Sequence, residues 1–486
     1  MTRPTTTGKA QDLITFTRST TGTALAKISY GEELVTNGTF DNNIDGWSVT
    51  GSAALGAWNA GKYIDLDRNG GTSCVLWKTV SGTGVSFYEV SFDVVHIDNG
   101  TKIATTFGGV LLDATAGAVG TYKFYGFAAG SPSTLFFSLT QTSAAVASLD
   151  NISVKEVLYD QPDGTLQLFN HPINKPRIEY DASGNCLGLL VEEARTNKVA
   201  YSQDFTNSYW AKNDLTVAPA PVAAPDGTMT ATHVVKTGSN AHLVALNIVS
   251  TADRHSIWAR TVSGTGTMYI GGTAPDMLVT VTEEWQRLDV QCNNSHVYAA
   301  SLRTDATLTE VYIWGSQAET GTFPTSYIPT SGSAVTRAAD IASLAVSEFG
   351  YNQDQGSVVV EQSFFADSDT RPLVYIGESN ANRILLYRGN GAIKLQVKSG
   401  NNTQVQQSIY DDIKKAAFRY KKDDMVLAAN GLTTSTDTSA SLLAQQGLNI
   451  YIGRYNSGPP YLNGHIKSVQ YYPLGLSNAQ LQALTV

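Results

Sequence analysis

The stretch SFYEVSFDVVHI alternates strictly, with Phe87, Glu89, Ser91 and Asp93 on one side and Tyr88, Val90, Phe92 and Val94 on the other. A period of two marks a strand with one face buried and one face in water. TYKFYGFAAG and STLFFSLTQT repeat the pattern between turn residues. Roughly eight to ten such strands, with no helical spacing among them, predict a β-sandwich over residues 32–157.

A second β-rich block, 196–340, follows the plan of the first. SQDFTNSYWAKNDLTV mirrors NGTFDNNIDGWSVTGS: a polar turn, a Phe, an Asn-bearing loop, then a Trp leading into a strand. An internal structural repeat is expected. FPTSYIPTSGSAVTRAAD, stiffened by Pro324 and Pro329, links it to a third sandwich over 341–486, built from strands such as GSVVVEQSFF, AIKLQVKSG and GHIKSVQYYPL. The chain closes on LSNAQLQALTV, where Ser477 caps a short helix carrying Leu481 and Leu484 inward. Residues 1–31 and 158–195 remain. The second contains a hairpin, PRIEYDASGNCLGLLVE, and the two read as halves of one small unit into which the first block is inserted. The fold class is all-β: three β-sandwiches in tandem plus a small N-terminal unit.

Composition narrows the function. A net charge of −9, pI 5.3 and no basic cluster argue against a nucleic-acid partner. No apolar run approaches the ~20 residues of a membrane helix, so no membrane insertion is expected. MTRPTTTGKAQD lacks the apolar core of a signal peptide, which implies synthesis in a cytoplasm without export. Cys74, Cys186 and Cys292 are too few and too far apart for a disulfide framework and read as buried thiols.

Candidate chemistry begins at GLLVEEARTN, where Glu192, Glu193 and Arg195 crowd together. Adjacent glutamates on an extended strand point to opposite faces and cannot jointly flank a glycosidic bond. Glu283 and Glu284 have the same limitation. Glu192, Glu193 and Arg195 therefore read as ion pairs at a domain or subunit junction. Asp65, Asp67, Asn69 and Gly70 match the first half of a calcium loop, but Leu76 stands where its closing Glu belongs. The histidines form no metal motif, and no nucleophile elbow or phosphate loop occurs, so the chain reads as a non-enzyme with no catalytic residue and no required cofactor. Sugar binding needs aromatic faces with hydrogen-bonding groups beside them. Trp47 and Trp210 read as core plugs. Trp58, Trp77 and Tyr63, nearer turns, are the better carbohydrate candidates, with Arg454, Tyr455 and Tyr461 of the loop RYNSGPPYLNG.

TFTRSTTGT, PRIEYD, GLLVEEARTN, SQDF, APDGTMTA and GTFPTSYIPTSGSAVTRAAD together resemble a family of phage and gene-transfer-agent head-spike, head-fibre or tail-fibre-like proteins. That resemblance covers residues 12–31 and 158–345. The first block, through ELVTNGTFDNNIDGWSV and LDNISVKEV, resembles jelly-roll carbohydrate-binding modules. The third, through AAFRYKKDDMVLAANG and GHIKSVQYYPLGLSNAQLQALT, resembles laminin-G/concanavalin-like sandwiches. The resemblance implies a virion-surface spike in which residues 1–31 anchor to a capsid or tail attachment protein. The sandwiches would bind host capsule or lipopolysaccharide and promote adsorption. A homo-oligomer is expected, a trimer first and a pentamer second. The resembled jelly rolls hold a structural calcium, whose matching positions here are Asp41 and Asp150. A polysaccharide depolymerase and a purely structural decoration protein are the other readings. Removal of residues 1–31 is expected to leave the third block folded.

Overall fold

Alternating burial along the chain becomes strand almost throughout. The computed structural model describes residues 14–50, 58–59, 62–68, 74–140, 144–271, 277–292, 295–303, 305–365, 370–410, 414–440 and 448–486. Strands β1 (Thr15–Thr17) and β2 (Gly22–Glu33) precede the first sandwich. Its strands are β3 (Ser48–Thr50), β4 (Trp58–Asn59), β5 (Tyr63–Asp67), β6 (Val75–Val80), β7 (Val85–Ile97), β8 (Ile103–Phe107), β9 (Val110–Ala116), β10 (Gly120–Ala129), β11 (Ser133–Leu139) and β12 (Val146–Tyr159). After β13 (Thr165–His171), β14 (Ile178–Tyr180), β15 (Cys186–Val191) and β16 (Arg195–Asn197) comes the second sandwich. It comprises β17 (Ala211–Asn213), β18 (Leu215–Pro219), β19 (Thr232–Lys236), β20 (His242–Ala245), β21 (Asp253–Arg260), β22 (Gly266–Gly271), β23 (Met277–Val281), β24 (Gln286–Gln291), β25 (Val297–Ser301) and β26 (Glu310–Thr320).

The expected repeat recurs strand for strand. The sheet β3-β6-β11-β8-β9 has its counterpart in β17-β20-β25-β22-β23, and β4-β5-β12-β7-β10 in β18-β19-β26-β21-β24. The opening loops explain why the two motifs look alike. Phe40 packs 5.5 Å from Trp47, and Trp47 Nε1 donates to Asn37 O at 2.8 Å. Phe205 packs 5.0 Å from Trp210, whose Nε1 donates to Tyr201 O at 2.9 Å. Both tryptophans are buried with their polar atom satisfied, so each is the core plug that its sequence context suggested.

The C-terminal sandwich takes β27 (Val335–Arg337) as its approach and then β28 (Ile341–Ala345), β29 (Gln355–Phe364), β30 (Arg371–Ser379), β31 (Asn382–Gly389), β32 (Ala392–Ser399), β33 (Asn402–Tyr410), β34 (Lys415–Lys421), β35 (Val426–Ala429), β36 (Leu432–Thr433), β37 (Asn449–Ile452) and β38 (Gly464–Tyr472). Its two sheets run β1-β28-β37-β30-β31-β32-β33 and β14-β15-β38-β29-β34-β35-β36. Helix α1 (Asn478–Leu484) begins at Ser477 in a capping box with Gln480 and buries Leu481.

The pieces read as a small separate unit do not stand apart. β1 is an edge strand of the C-terminal sandwich and places Phe16 in its core beside Val191, Val360 and Leu373. The hairpin β14–β15 edges the opposite sheet, with Leu190 opposite His465. β2 and β13 instead extend a sheet of the first sandwich, in the order β10-β7-β12-β2-β13. A piece with so few strands buries too little apolar surface to persist alone, so its strands are absorbed by neighbours. Two compact units result: Met1–Ala26 with Leu168–Thr216 and Val234–Val486, and Lys27–Gln167 with Val217–His233. Cys186 corrects another expectation. It opens β15 in an exposed position, whereas Cys74 and Cys292 are buried.

Candidate functional site

On the outer face of β10-β7-β12-β2, the register lines up the polar half of each alternating strand. Tyr125 lies opposite Glu89, Glu89 opposite Lys155, and Lys155 opposite Glu33. The next row is Lys123, Ser91 and Ser153, and the one beyond it Thr121, Asp93 and Asp150. At the other end Phe127 faces Phe87, and Phe87 stacks on Tyr125 with ring planes 6° apart. Phe127 is 43% exposed. An aromatic platform thus continues into a charged and hydroxyl-bearing surface, because residues two apart share a face.

That surface dips into a cleft of about 510 Å³ lined by Tyr30, Glu33, Asn37, Glu89, Lys123 and Asn151 among others. Glu89 is its organising group. Its Oε2 accepts from Tyr30 Oη at 2.6 Å and Tyr125 Oη at 2.9 Å, and Lys123 Nζ lies 3.6 Å from Oε1. Burial, followed by the hydrogen bond to Glu89, raises the Tyr30 phenol above its usual range; burial and then the charge of Glu89 do the same for Tyr125. Both therefore stay protonated donors. Glu33 accepts from the amides of Val35 and Val154 at 2.9 and 3.0 Å and from Ser153 Oγ. Both side chains are tied to internal donors, so the cleft presents a preorganised hydrogen-bonding surface.

The cleft's far wall depends on one glycine. β12 bulges between Asp150 and Ser153, Asn151 takes φ 50°, and Ile152 N donates to Gly38 O at 2.9 Å. A Cβ on Gly38 would overlap the Ile152 carbonyl oxygen, so the loop seats against the bulge only without a side chain there. Gly38→Ala is expected to destabilise the first sandwich by about 1–3 kcal/mol. An unchanged denaturation midpoint would show that the loop is free to move away.

The residues singled out in the sequence scatter. Trp77 is half-buried on the opposite sheet and lies 6.3 Å from Phe136, itself 36% exposed, so it retains an accessible aromatic face. Tyr63 is half-buried on β5. Trp58 pairs with Ile64 through the backbone, and its side chain lies outside the described residues, as do Asn69 and Gly70. The loop platform on the C-terminal sandwich does not form as expected. Tyr461 and Arg454 are buried at 8% and 5% exposure, the guanidinium lying 5.5 Å from the Tyr461 ring and donating to the carbonyls of Tyr455 and Asn456. They brace the loop from inside. Tyr455 is half-buried under Arg383, 5.3 Å away.

Asp41 pairs with Lys62 at 3.6 Å and accepts from Thr39 Oγ1. Burial, together with the charges of Asp93 and Asp41, raises the Asp150 carboxyl. No group of three or more His, Cys, Asp or Glu side chains that could hold a metal occurs among the described residues.

Glu192 and Glu193 diverge as adjacency requires. Glu192 is fully buried, 2.8 Å from Arg177 and 3.4 Å from Arg337, and accepts from the amide and hydroxyl of Ser326. Asp340 completes the cluster with Arg177 and with Arg18 at 3.1 Å. Burial opposes charge on Glu192, but Arg337, Arg177 and Ser326 outweigh it and hold its carboxyl at about 2. Arg195 bonds Glu193 locally and lies over Phe323 at 5.1 Å, so the long-range fastening belongs to Glu192 with Arg177 and Arg337.

Glu33, Glu89, Lys123 and Tyr125 were not singled out from the sequence. For Glu89, Lys123 and Tyr125 the signal was present in the charged and aromatic members of the outward half of SFYEVSFDVV and TYKFYGF; Glu33 lies outside both, on β2, and only the register shows that these residues meet.

Compared with protein-family models and with curated proteins, the chain matches none. Among solved structures it is similar to the CBM40 module of the Ruminococcus gnavus IT-sialidase bound to α2,3 sialyllactose, at 18% identity over 28% of this chain and 83% of that one, TM-score 0.24. It is also similar to the CBM22-1–CBM22-2 tandem of Paenibacillus barcinonensis Xyn10C (14% identity, 60% and 98% covered, TM-score 0.19). A third likeness is to domains LG4-5 of the mouse laminin α1 chain (11% identity, 48% and 85% covered, TM-score 0.19).

Proposed function

We propose that this protein binds glycans through the outer face of β10-β7-β12-β2, and does so as a surface spike or fibre of a phage or gene-transfer-agent particle. The observation that carries the binding reading is the cleft organised by Glu89 beside the Phe87–Tyr125–Phe127 platform. Flat rings suit the C–H faces of a sugar, and Ser91, Asn151, Lys123 and Glu33 suit its hydroxyls. The particle location rests on the motif set that resembles spike proteins. Host capsule or lipopolysaccharide is the proposed ligand, and a homo-oligomer, trimeric or pentameric, would multiply weak single sites.

Binding of purified protein to host polysaccharide, measured calorimetrically, tests the site. Glu89→Gln is expected to weaken affinity about tenfold or more, since it disturbs charge-assisted hydrogen bonds. Trp77→Ala, on the opposite sheet, is expected to leave affinity unchanged. The reverse pattern would move the site to the Trp77–Phe136 face, and no binding by the unaltered protein would leave a structural decoration protein. Adsorption of particles competed by the purified chain tests the spike assignment separately.

A further inference from the structure

On the sheet β14-β15-β38-β29, three side chains from distant parts of the chain form one hydrogen-bonded line. Ser363 on β29 lies directly opposite His465 on β38, with Oγ 3.1 Å from His465 Nδ1. His465 Nε2 lies 2.6 Å from Glu179 Oε2 on β14. The imidazole is buried at 3% exposure and Phe365 meets it edge-on at 5.3 Å, whereas Ser363 is exposed.

The chemistry of the line has a direction. In the tautomer that carries its proton on Nε2, donated to Glu179, His465 turns the Nδ1 lone pair to the Ser363 hydroxyl. This is the arrangement of an activated nucleophile: a hydroxyl within reach of a base, and the base oriented by a third group. Glu179 and Phe365 also line a cleft of about 330 Å³ with Phe323, Thr325, Ser326 and Arg287. The cleft offers aromatic walls, hydroxyls and a guanidinium to a small ligand next to the line.

We infer that Ser363, His465 and Glu179 form a hydrolytic site for esters of small acyl groups, distinct from the glycan-binding face. Ser363 Oγ attacks the ester carbonyl carbon while its proton passes to His465 Nδ1. The resulting tetrahedral adduct breaks its bond to the alkoxy oxygen, which leaves as the alcohol with the proton from His465. Water then attacks the acyl-serine, its proton going to His465 and returning to Ser363 Oγ as the carboxylic acid departs. Glu179 does not exchange a proton in either half and acts as the positioning residue. The sequence carried no nucleophile motif because the members come from three strands, with Ser363 and His465 102 residues apart and His465 and Glu179 286 apart.

The full chain, treated with a fluorophosphonate probe and mapped by peptide mass spectrometry, is expected to carry the label on Ser363. It is expected to hydrolyse p-nitrophenyl acetate, with Ser363→Ala lowering the rate at least about 100-fold, the scale a positioned base supplies. Ser363 is exposed, so that variant is expected to fold as the unaltered protein does. Glu179→Gln is expected to alter the pH profile of the hydrolysis, which a merely structural tie would not do. Absence of label on Ser363, or hydrolysis equal in Ser363→Ala and the unaltered chain, overturns the assignment and leaves the line as a tie between β14, β38 and β29.

Discussion

Glu192→Ala is expected to destabilise the unit containing the C-terminal sandwich by about 3–5 kcal/mol, the cost of removing one partner from a buried ion pair. The cluster sets three guanidiniums, Arg18, Arg177 and Arg337, against two carboxylates, Glu192 and Asp340, all at most 1% exposed. Without Glu192 the positive excess has only Asp340 to offset it, and Ser326 loses both of its acceptors. Chemical denaturation should show the fall in midpoint; a midpoint within error of the unaltered protein would mean that water reaches the cavity and replaces the carboxylate. The same group predicts a pH dependence. Its folded carboxyl is held at about 2, below the unfolded value of 4.5, so its contribution is complete above about 4.5 and is lost as pH falls through about 2. In Glu192→Gln that part of the acid sensitivity should disappear.

Removal of residues 1–18 is expected to do comparable damage, reversing the expectation that the C-terminal sandwich would fold without the N-terminal segment. The deletion takes Phe16 out of the core, a loss of about 3–5 kcal/mol by analogy with emptying a buried Phe site. It also strips the β28 edge of its partner strand and Asp340 of Arg18. Limited proteolysis and denaturation of the shortened chain provide the measurement. Unimpaired resistance in the C-terminal sandwich would show that β1 is dispensable. If the proposed anchoring to a particle is tested by such a deletion, a loss of incorporation would report misfolding as well, so Phe16→Ala in the full chain is the necessary comparison.

Much of the fold was legible in local pattern. Tyr88, Val90, Phe92 and Val94 are all buried, as their alternation required, and the Phe–Trp loops marked both repeats. Ser477 was readable as a cap because capping involves only the next few residues. The candidate cleft was half legible: each strand announced a polar face, but none announced its neighbour. The loop at Arg454–Gly464 misled for a related reason. Its aromatic, proline-rich composition resembles an exposed platform, while the bridge between Arg454 and Tyr461 turns both inward.

From the order of residues alone follow the all-β class, the duplicated sandwich, the burial of Trp47 and Trp210 and the divergence of Glu192 from Glu193. Each depends on backbone periodicity or on contacts a few residues long, which any short stretch carries within itself. The capture of β1 by the C-terminal sheet, the rows through Glu89 and the meeting of Ser363, His465 and Glu179 came only with the folded chain. These depend on which strands pair and in what register. That choice is settled by burying apolar faces and satisfying backbone hydrogen bonds across a hundred residues or more, as between Ser363 and His465, 102 residues apart, and no local stretch encodes it.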